Sequence, residues 1–301
     1  MATPMQQSAA AAAVLKAVKG PYAPRIEQCD PFKTVGYNQK ATLEFDVART
    51  VQGLEFVSNL SVARISRISM EYQDGSEFFF TDPSFLIARD AYDKKINADA
   101  ADSGVNYSRI YLDFADEQLR TTDGIRRGEL AILPGEIIRV KVHIGAKQSG
   151  DPDAIELYAN MTTTAAQADR YFVPRLSDVI LSQTVTGEQT HKFPLMGINH
   201  RIRRMWLKTS KLTDFEIIRD RTKVMWGKVA DIKAMVKRQT GKEAPAGWVC
   251  IDFISHGFAS ESAFIPVANE SLQLKLKTTA AEEIPVYFEY ITQNKEVPTG
   301  A

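Results

Sequence analysis

Polar and apolar residues alternate with a period of two along much of the chain beyond residue 20. The alternation covers residues 42–47, 64–70, 107–114, 129–133 and 137–144. Successive side chains of a strand face opposite sides of a sheet, so this pattern predicts half-buried antiparallel strands. Turn-forming pairs separate these segments, at Asp74-Gly75, Asp123-Gly124 and Pro134-Gly135, and they indicate short connections.

Two segments depart from the alternation and predict helices. Residues 83–95 follow Asp82, a good helix N-cap, and place Pro83 at the first helical position. Residues 222–239 predict a second helix, which a glycine at position 241 would end. The apolar stripe of this second helix is formed by Met225, Val229, Ile232 and Val236.

The order of predicted elements occurs twice. The segment IYLDF at 110–114 corresponds to VCIDF at 249–253, and the strand at 137–144 corresponds to residues 284–291. A period of about 145 residues is too long for a solenoid repeat and indicates two similar domains. We therefore expect a mainly β chain with two tandem eight-stranded jelly-roll sandwiches, each with an inserted helix. The expected boundaries are 1–20 for an N-terminal arm, 21–152 for the first jelly roll, and 153–301 for the second with its linker.

The first twenty residues differ from the rest in composition. Ser8 precedes a run of five alanines, and Gly20 stands where a helix would end, so the segment predicts an N-terminal helical arm. One interpretation is a frayed terminal helix, and the other is an arm that docks on a partner or a membrane surface. The candidate docking residues are Val14, Leu15, Lys16, Val18 and Lys19.

Composition and charge exclude several classes of protein. The chain has 301 residues, with 37 Lys and Arg balanced by 37 Asp and Glu, and this balance argues against a sequence-specific nucleic-acid binder. No run of 18 apolar residues predicts a membrane span, and no signal-peptide pattern is recognisable at the N-terminus. Cys29 and Cys250 are far apart, so we expect two buried, reduced thiols and no disulfide framework.

The motifs of common catalytic sites do not occur in the sequence, which contains neither HExxH, GxSxG, GxGxxG nor CxxC. We therefore predict no catalytic site and no cofactor. Oxygen-rich acidic loops can bind calcium, although solvated loop charge is the simpler interpretation. The candidate aspartates are Asp99, Asp102, Asp151 and Asp153.

A basic segment at residues 200–208 predicts a strand with one polar face. Its arginines, Arg201, Arg203 and Arg204, could contribute to a polar interface between subunits. A different class of function is a two-domain β-sandwich that binds or cleaves carbohydrate. Such a protein needs exposed aromatic residues beside a pair of carboxylates, but Trp206, Trp226 and Trp248 all lie in apolar patterns that predict core positions.

The chain resembles the double jelly-roll major capsid proteins of tailless, membrane-containing icosahedral bacteriophages, and most of all the corticovirus type. The resemblance covers nearly the whole chain after residue 40 and rests on the order, spacing and length of the elements. The stretches that match best are residues 68–74, 83–96 and 171–176 in the first part, and 200–220, 272–276 and 285–291 in the second.

The resemblance implies a structural protein of the virion, made in the host cytoplasm, and no enzymatic activity. It implies homotrimers with a pseudo-hexagonal outline that tile an icosahedral shell around an internal membrane. The implied partners are neighbouring trimers, minor capsid or vertex proteins, and the inner viral membrane. In this family the N-terminal segment often lies near that membrane or near neighbouring trimers, and calcium occurs at subunit contacts.

Overall fold

The computed structural model describes residues 25–95, 100–102, 105–116, 119, 125–167, 169–257 and 262–294, with residues 100–102, 105 and 106 described by their backbone alone. The chain folds into two compact units. The first unit runs to Ile87 and continues from residue 96 to Pro174, with the C-terminal residues from Gln293. The second unit contains Ala88–Lys95 and Arg175–Thr292.

The first unit contains ten described strands, which we number in chain order. They are β1 (Arg25–Gln28), β2 (Lys40–Phe45), β3 (Arg49–Ser58), β4 (Ile65–Tyr72), β5 (Glu77–Thr81), β6 (Ala100–Asp102), β7 (Val105–Asp113), β8 (Leu130–Ile132), β9 (Ile138–Ile144) and β10 (Leu157–Thr164). A short 3-10 helix, Val62–Arg64, precedes β4.

The strands of the first unit form two antiparallel layers. One layer has the order β1-β10-β3-β7-β6, with β8 also paired to β3, and the other contains β5-β4-β9-β2. In β9 every second residue is buried, from Ile138 to Ile144, while Arg139, Lys141 and His143 alternate with them. The period-two pattern therefore marks the strands of this sandwich correctly, because one face of each layer packs on the core.

Two glycines make the tight connections that the sequence predicts. Gly75 has φ of 83° and donates its backbone N–H to the Tyr72 carbonyl at 2.9 Å, closing the β4–β5 hairpin. Gly135 has φ of 77° between β8 and β9. A positive φ is the left-handed conformation, which glycine adopts without a steric penalty.

Helix α1 (Pro83–Asp93) begins as predicted. The backbone N–H of Phe85 donates to the carboxylate of Asp82 at 3.1 Å, so Asp82 caps the helix N-terminus. The part of α1 from Ala88 onward belongs to the second unit.

The second unit contains eight strands and helix α2 (Val229–Thr240). The strands are β11 (Phe172–Gln183), β12 (Gly187–Lys192), β13 (His200–Lys208), β14 (Leu212–Arg219), β15 (Thr222–Lys228), β16 (Trp248–Asp252), β17 (Leu272–Thr278) and β18 (Glu282–Gln293). They form two layers of four strands, with the orders β16-β13-β18-β11 and β12-β17-β14-β15. This is the eight-stranded jelly-roll arrangement expected from the sequence.

The apolar core of the second unit lies between these two layers. Phe215 and Ile217 of one layer and Phe288 of the other are at most 1% exposed. Val229, the first residue of α2, packs on the same cluster, and the helix ends at Gly241 with φ of 71°. Burial of these side chains supplies most of the free energy that holds the layers together.

Two of the expected boundaries differ from those in the structure. The predicted helix over residues 222–239 is wrong in its first part, because Thr222–Lys228 is strand β15, paired antiparallel with β14. We also expected the boundary between the domains at 152/153. Instead the compact units divide after Pro174, because β10 pairs with β1 and β3 of the first unit.

Candidate functional site

The basic segment lies on β13, where a β-bulge decides which way its side chains face. The register of β13 against β18 shifts between Ile202 and Arg204, so Arg203 is the extra residue. As a result Ile202, Met205 and Leu207 face the core between the layers. Arg204 and Trp206 lie on the opposite side of the sheet, yet they are only 3% and 0% exposed.

The C-terminal part of α1 packs on that opposite side. The rings of Tyr92 and Trp206 meet edge to face at 5.1 Å, and the Tyr92 hydroxyl donates to Asp252 at 2.9 Å. Burial raises the pKa of Tyr92 far above its ordinary value, so the hydroxyl stays protonated and remains a donor.

A buried ionic network surrounds Arg204 within the second unit. The guanidinium lies 3.0 Å from the Asp93 carboxylate, 3.4 Å from Asp252 and 3.8 Å from Glu289. Lys242, which follows α2, contacts the other oxygen of Asp93 at 2.8 Å. These ion pairs join α1, β13, β16, β18 and the segment after α2, so their role is to position structural elements.

The two cysteines are buried and free, as predicted. Cys250 is on β16, and burial raises its pKa well above the ordinary value. Burial also raises the pKa of Cys29 to about 12. Both thiols are therefore protonated and unreactive at neutral pH.

The three arginines predicted for a subunit interface have different environments. Arg204 is buried in ion pairs of its own unit, so it is not part of that unit's surface. Arg201 is partly buried and donates to the backbone carbonyl of Ile198 at 2.6 Å. Arg203, the bulge residue, is also partly buried. For Arg201 and Arg203 the interface remains a prediction.

The four candidate metal-binding aspartates do not form a described cluster. Asp99 lies outside the described residues, and Asp102 is described by its backbone in β6 alone. Asp151 pairs with Arg64 at 2.7 Å, and Asp153 pairs with Lys147 at 2.5 Å. Within the described ranges no group of three His, Cys, Asp or Glu residues could hold a metal ion. The structure thus places two of the four carboxylates against basic side chains.

The predicted arm also lies outside the described residues, with its candidate docking residues Val14, Leu15, Lys16, Val18 and Lys19. Among the helices of the described part of the chain, none is long and apolar enough to cross a bilayer.

The three tryptophans differ in exposure. Trp206 and Trp248 are buried, as expected for core residues. Trp226 was predicted to be a core residue, and this is wrong, because 61% of it is exposed. It lies on β15 and points away from the core, on which its neighbour Met225 packs. The prediction was wrong because residues 222–228 were assigned to a helix, whereas in strand β15 neighbouring side chains face opposite sides of the sheet.

The outer face of the layer that contains Trp226 carries charged residues of both signs. Lys275 on β17 contacts Glu188 on β12 at 2.7 Å and Glu216 on β14 at 3.7 Å. Glu216 also accepts a hydrogen bond from Lys223 on β15 at 2.6 Å. Because these pairs are partly exposed, each contributes little to stability. These charged residues do surround the apolar Trp226 with a polar surface. Many protein interfaces have the same arrangement of an apolar centre and a polar rim.

Two family models match the chain, one to each half. The viral coat protein P2 N-terminal domain matches residues 26–164, and the viral coat protein P2 C-terminal domain matches residues 173–294. The gap between these matches lies near the division of the two compact units.

Solved structures give the same fold. The crystal structure of the major capsid protein P2 from bacteriophage PM2 matches with a TM-score of 0.75 and 16% identity, over 91% of this chain and 99% of that chain. The STIV MCP matches with a TM-score of 0.66 and 9% identity, over 90% and 97%. PBCV-1 VP54, fitted into a reconstruction of the virophage Sputnik, matches with a TM-score of 0.62 and 10% identity, over 90% and 95%.

Comparison with curated proteins gives no match. Both family models describe viral coat protein domains, which agrees with the structural role expected from the sequence. Because the two family models together cover most of the sequence, the chain belongs to the viral coat protein P2 family.

Proposed function

We propose that the chain is the major capsid protein of a tailless icosahedral phage and that it forms homotrimers with a pseudo-hexagonal outline. These trimers tile the shell around an internal membrane. The observation that carries the proposal is that each half of the chain matches its own coat-protein domain model. Three chains, each with two such units, supply six similar building blocks from threefold symmetry.

The chemistry of the chain suits repeated self-association. A capsid subunit needs broad, rigid sides and no reactive centre, and both jelly rolls are built on well-packed cores. The formal net charge is zero, which limits the repulsion between many copies packed side by side. Neighbouring trimers, minor capsid or vertex proteins and the inner membrane are the other proposed partners.

The oligomeric state of the purified full chain tests the proposal. Size-exclusion chromatography with light scattering should give three times 33.6 kDa, which is about 101 kDa. A monomer of 33.6 kDa at all accessible concentrations would contradict the trimer. Electron microscopy of the source particle should then show a pseudo-hexagonal lattice.

Calcium at the subunit contacts is a separate part of the proposal. Asp153 is fully exposed and is the best placed of the described candidate aspartates to reach another subunit. The same light-scattering measurement with added calcium and with a chelator tests this. If calcium binds at the contacts, the trimer fraction should be higher with the ion than with the chelator, and Asp153→Asn should reduce this difference. Identical masses in the two buffers would contradict calcium binding at the contacts.

The carbohydrate-binding alternative is not favoured. Its best candidate, the exposed Trp226, is paired across the strands with Glu216, but that carboxylate is held by Lys223 and Lys275. A glycosidase needs two carboxylates that can exchange protons with a substrate.

A further inference from the structure

A loop at one end of the second unit exposes apolar side chains. It covers residues 193–199 and connects β12 to β13. Ile198 is 72% exposed and Met196 is 41% exposed, while Leu195 beside them packs on the core. We refer to residues 196–198 as the apolar tip. Exposed apolar side chains that lie together mark binding surfaces, whereas scattered ones do not.

The apolar tip is held in one conformation by its own turn. The backbone N–H of His200 donates to the carbonyl of Gly197 at 3.2 Å, and the Arg201 guanidinium donates to the carbonyl of Ile198 at 2.6 Å. Position 197 requires glycine, because an added Cβ would lie 2.6 Å from the His200 ring. The turn therefore presents Ile198 without the entropic cost of ordering a flexible loop.

A second loop widens this apolar surface. The backbone N–H of Gly197 donates to the carbonyl of Pro266 at 3.1 Å, so part of the connection from β16 to β17 lies beside the apolar tip. The residues on either side of Pro266 are apolar and partly exposed. Phe264, two residues earlier, packs on the core and lies 5.7 Å from the ring of Phe193. Both loops are thus anchored to the core of the second unit.

Basic residues without acidic partners flank the apolar tip. Lys192 and Arg201 stand on either side of it in the sequence, and among the described residues neither pairs with a carboxylate. Residues 189–213 contain no Asp or Glu. The described carboxylates of the neighbouring loops are engaged, because Glu270 pairs with an arginine at 3.1 Å and Asp220 accepts from three backbone N–H groups. The loop of the apolar tip therefore has a net positive charge.

These features fit a lipid bilayer better than a folded protein. A specific protein interface buries about 800 Å² on each partner, which two protruding side chains alone do not supply. A bilayer requires no complementary shape, receives apolar side chains at the boundary between headgroups and acyl chains, and attracts basic residues through its anionic lipids. The remaining N–H donors of Arg201 and the ammonium of Lys192 match phosphate oxygens.

We propose that the apolar tip inserts into the surface of an anionic lipid bilayer, with Lys192 and Arg201 on the lipid phosphates. The inference rests on the proposed function, since it names the residues that contact the internal membrane. A cyclic trimer places its three tips at one height along the threefold axis, so one bilayer can engage all three. Three linked contacts then bind far more tightly than one.

A fluorescent label on the apolar tip tests the proposal in the full chain. Both native cysteines are buried, so Ile198→Cys provides a single reactive thiol for the environment-sensitive dye NBD. Vesicles that contain phosphatidylglycerol should increase and blue-shift the NBD emission, and nitroxide-labelled lipids should quench it. The matched control is Val185→Cys, because Val185 is 49% exposed and lies just before the opposite end of β12. The label at position 185 should not respond.

Co-flotation with the same vesicles measures the contribution of each group. Ile198→Asn should raise the lipid concentration for half-maximal binding at least about tenfold, because each tip loses its most exposed apolar side chain. Val185→Asn should leave that concentration unchanged. Lys192→Gln should weaken binding about fivefold, as expected for one basic residue at an anionic surface. Its matched control is Lys228→Gln, at the far end of β15, which should not weaken binding.

The possible results separate the two proposals. A monomeric wild-type chain contradicts the proposed function, whether or not the label at position 198 responds. A trimer whose label does not respond to anionic vesicles overturns the apolar tip as a membrane contact and leaves the proposed function intact. If that trimer still co-floats, another segment, such as the N-terminal arm, binds the membrane. A label that responds only when trimers associate with one another would assign the apolar tip to a protein contact.

The lipid composition tests the basic residues separately. The wild-type chain should bind neutral phosphatidylcholine vesicles more weakly than vesicles that contain phosphatidylglycerol. Equal binding to both would overturn the role of Lys192 and Arg201.

Discussion

Arg204 shows how a buried charged residue can position structural elements without being a surface contact. Its side chain is 4% exposed and faces three carboxylates, of Asp93, Asp252 and Glu289. Transfer of such charges from water costs free energy, which the ion pairs offset only while all partners are present. The network therefore specifies where α1 and β16 lie against β13, and contributes less to net stability than its number of ion pairs suggests.

We predict that Arg204→Met destabilises the chain by about 3–5 kcal/mol, because it leaves buried carboxylates with one cation fewer. Urea unfolding followed by circular dichroism measures this. Arg201→Met is the matched control on the same strand. Arg201 donates to backbone carbonyls and is partly exposed, so its removal should cost about 1 kcal/mol. Equal losses in the two variants would contradict the role of the network.

His143 links the stability of the first unit to pH. It lies on β9 opposite Lys40 of β2 and Arg67 of β4. Burial lowers its pKa below the ordinary value of 6.5, and the charges of Lys40, Arg67 and Lys141 lower it further, while Glu77 acts in the opposite direction. The folded state therefore favours the neutral imidazole.

The stability that depends on neutral His143 is present above pH 6.5, the unfolded value. It is lost as the pH falls from there toward the lower folded pKa, because the unfolded chain binds the proton first. We predict that His143→Gln reduces the slope of the free energy of unfolding against pH between about 7 and 5. The reduction should correspond to the uptake of at most one proton on unfolding. Urea unfolding at a series of pH values measures this. An unchanged slope would mean that His143 titrates alike in both states.

Several elements can be predicted from the sequence because one face of each packs on a nearby core. The alternation in β9 and the Asp82-Pro83 start of α1 are local signals, and the structure contains both elements. The Arg204 network has no local signal. It depends on a bulge at Arg203 and on Asp93, which is 111 positions away along the chain.

The junction of β15 and α2 shows why helical spacing can mislead. Met225 and Val229 are four residues apart and both pack on the core, but one is on the strand and the other begins the helix. The sequence does contain a signal against one continuous helix. Gly227 is unfavourable in a helix interior, and β-branched Thr222 and Val224 favour strands. In the structure Gly227 also provides space for Ile232, whose Cδ1 would lie 3.2 Å from an added Cβ.

At the scale of the whole molecule, the division into two similar units links sequence to function. The two family models, the two compact units and the repeat of about 145 residues indicate the same organisation. The position of the division was not predictable from composition. The sequence around residues 150–153 looks like a linker, whereas β10 beyond it completes a layer of the first unit by long-range pairing.

The N-terminal arm leads to the last prediction. Residues 1–19 lie outside the described part of the chain, and the first described strand begins at Arg25. The described sheets begin at Arg25, so we expect the truncated chain to unfold at the same urea concentration as the full chain. The truncated chain should still form a trimer, with three times the mass of one truncated chain.

We expect the truncated chain to fail at a later step, because the helix predicted for the arm would place Val14, Leu15 and Val18 on one small apolar face beside Lys16 and Lys19, which suits a docking segment. Particle yield by electron microscopy and co-flotation with anionic vesicles measure assembly and membrane association. A trimer that forms particles and binds vesicles as the full chain does would remove any role for the arm. Loss of the trimer itself would instead place the arm in the contact between subunits.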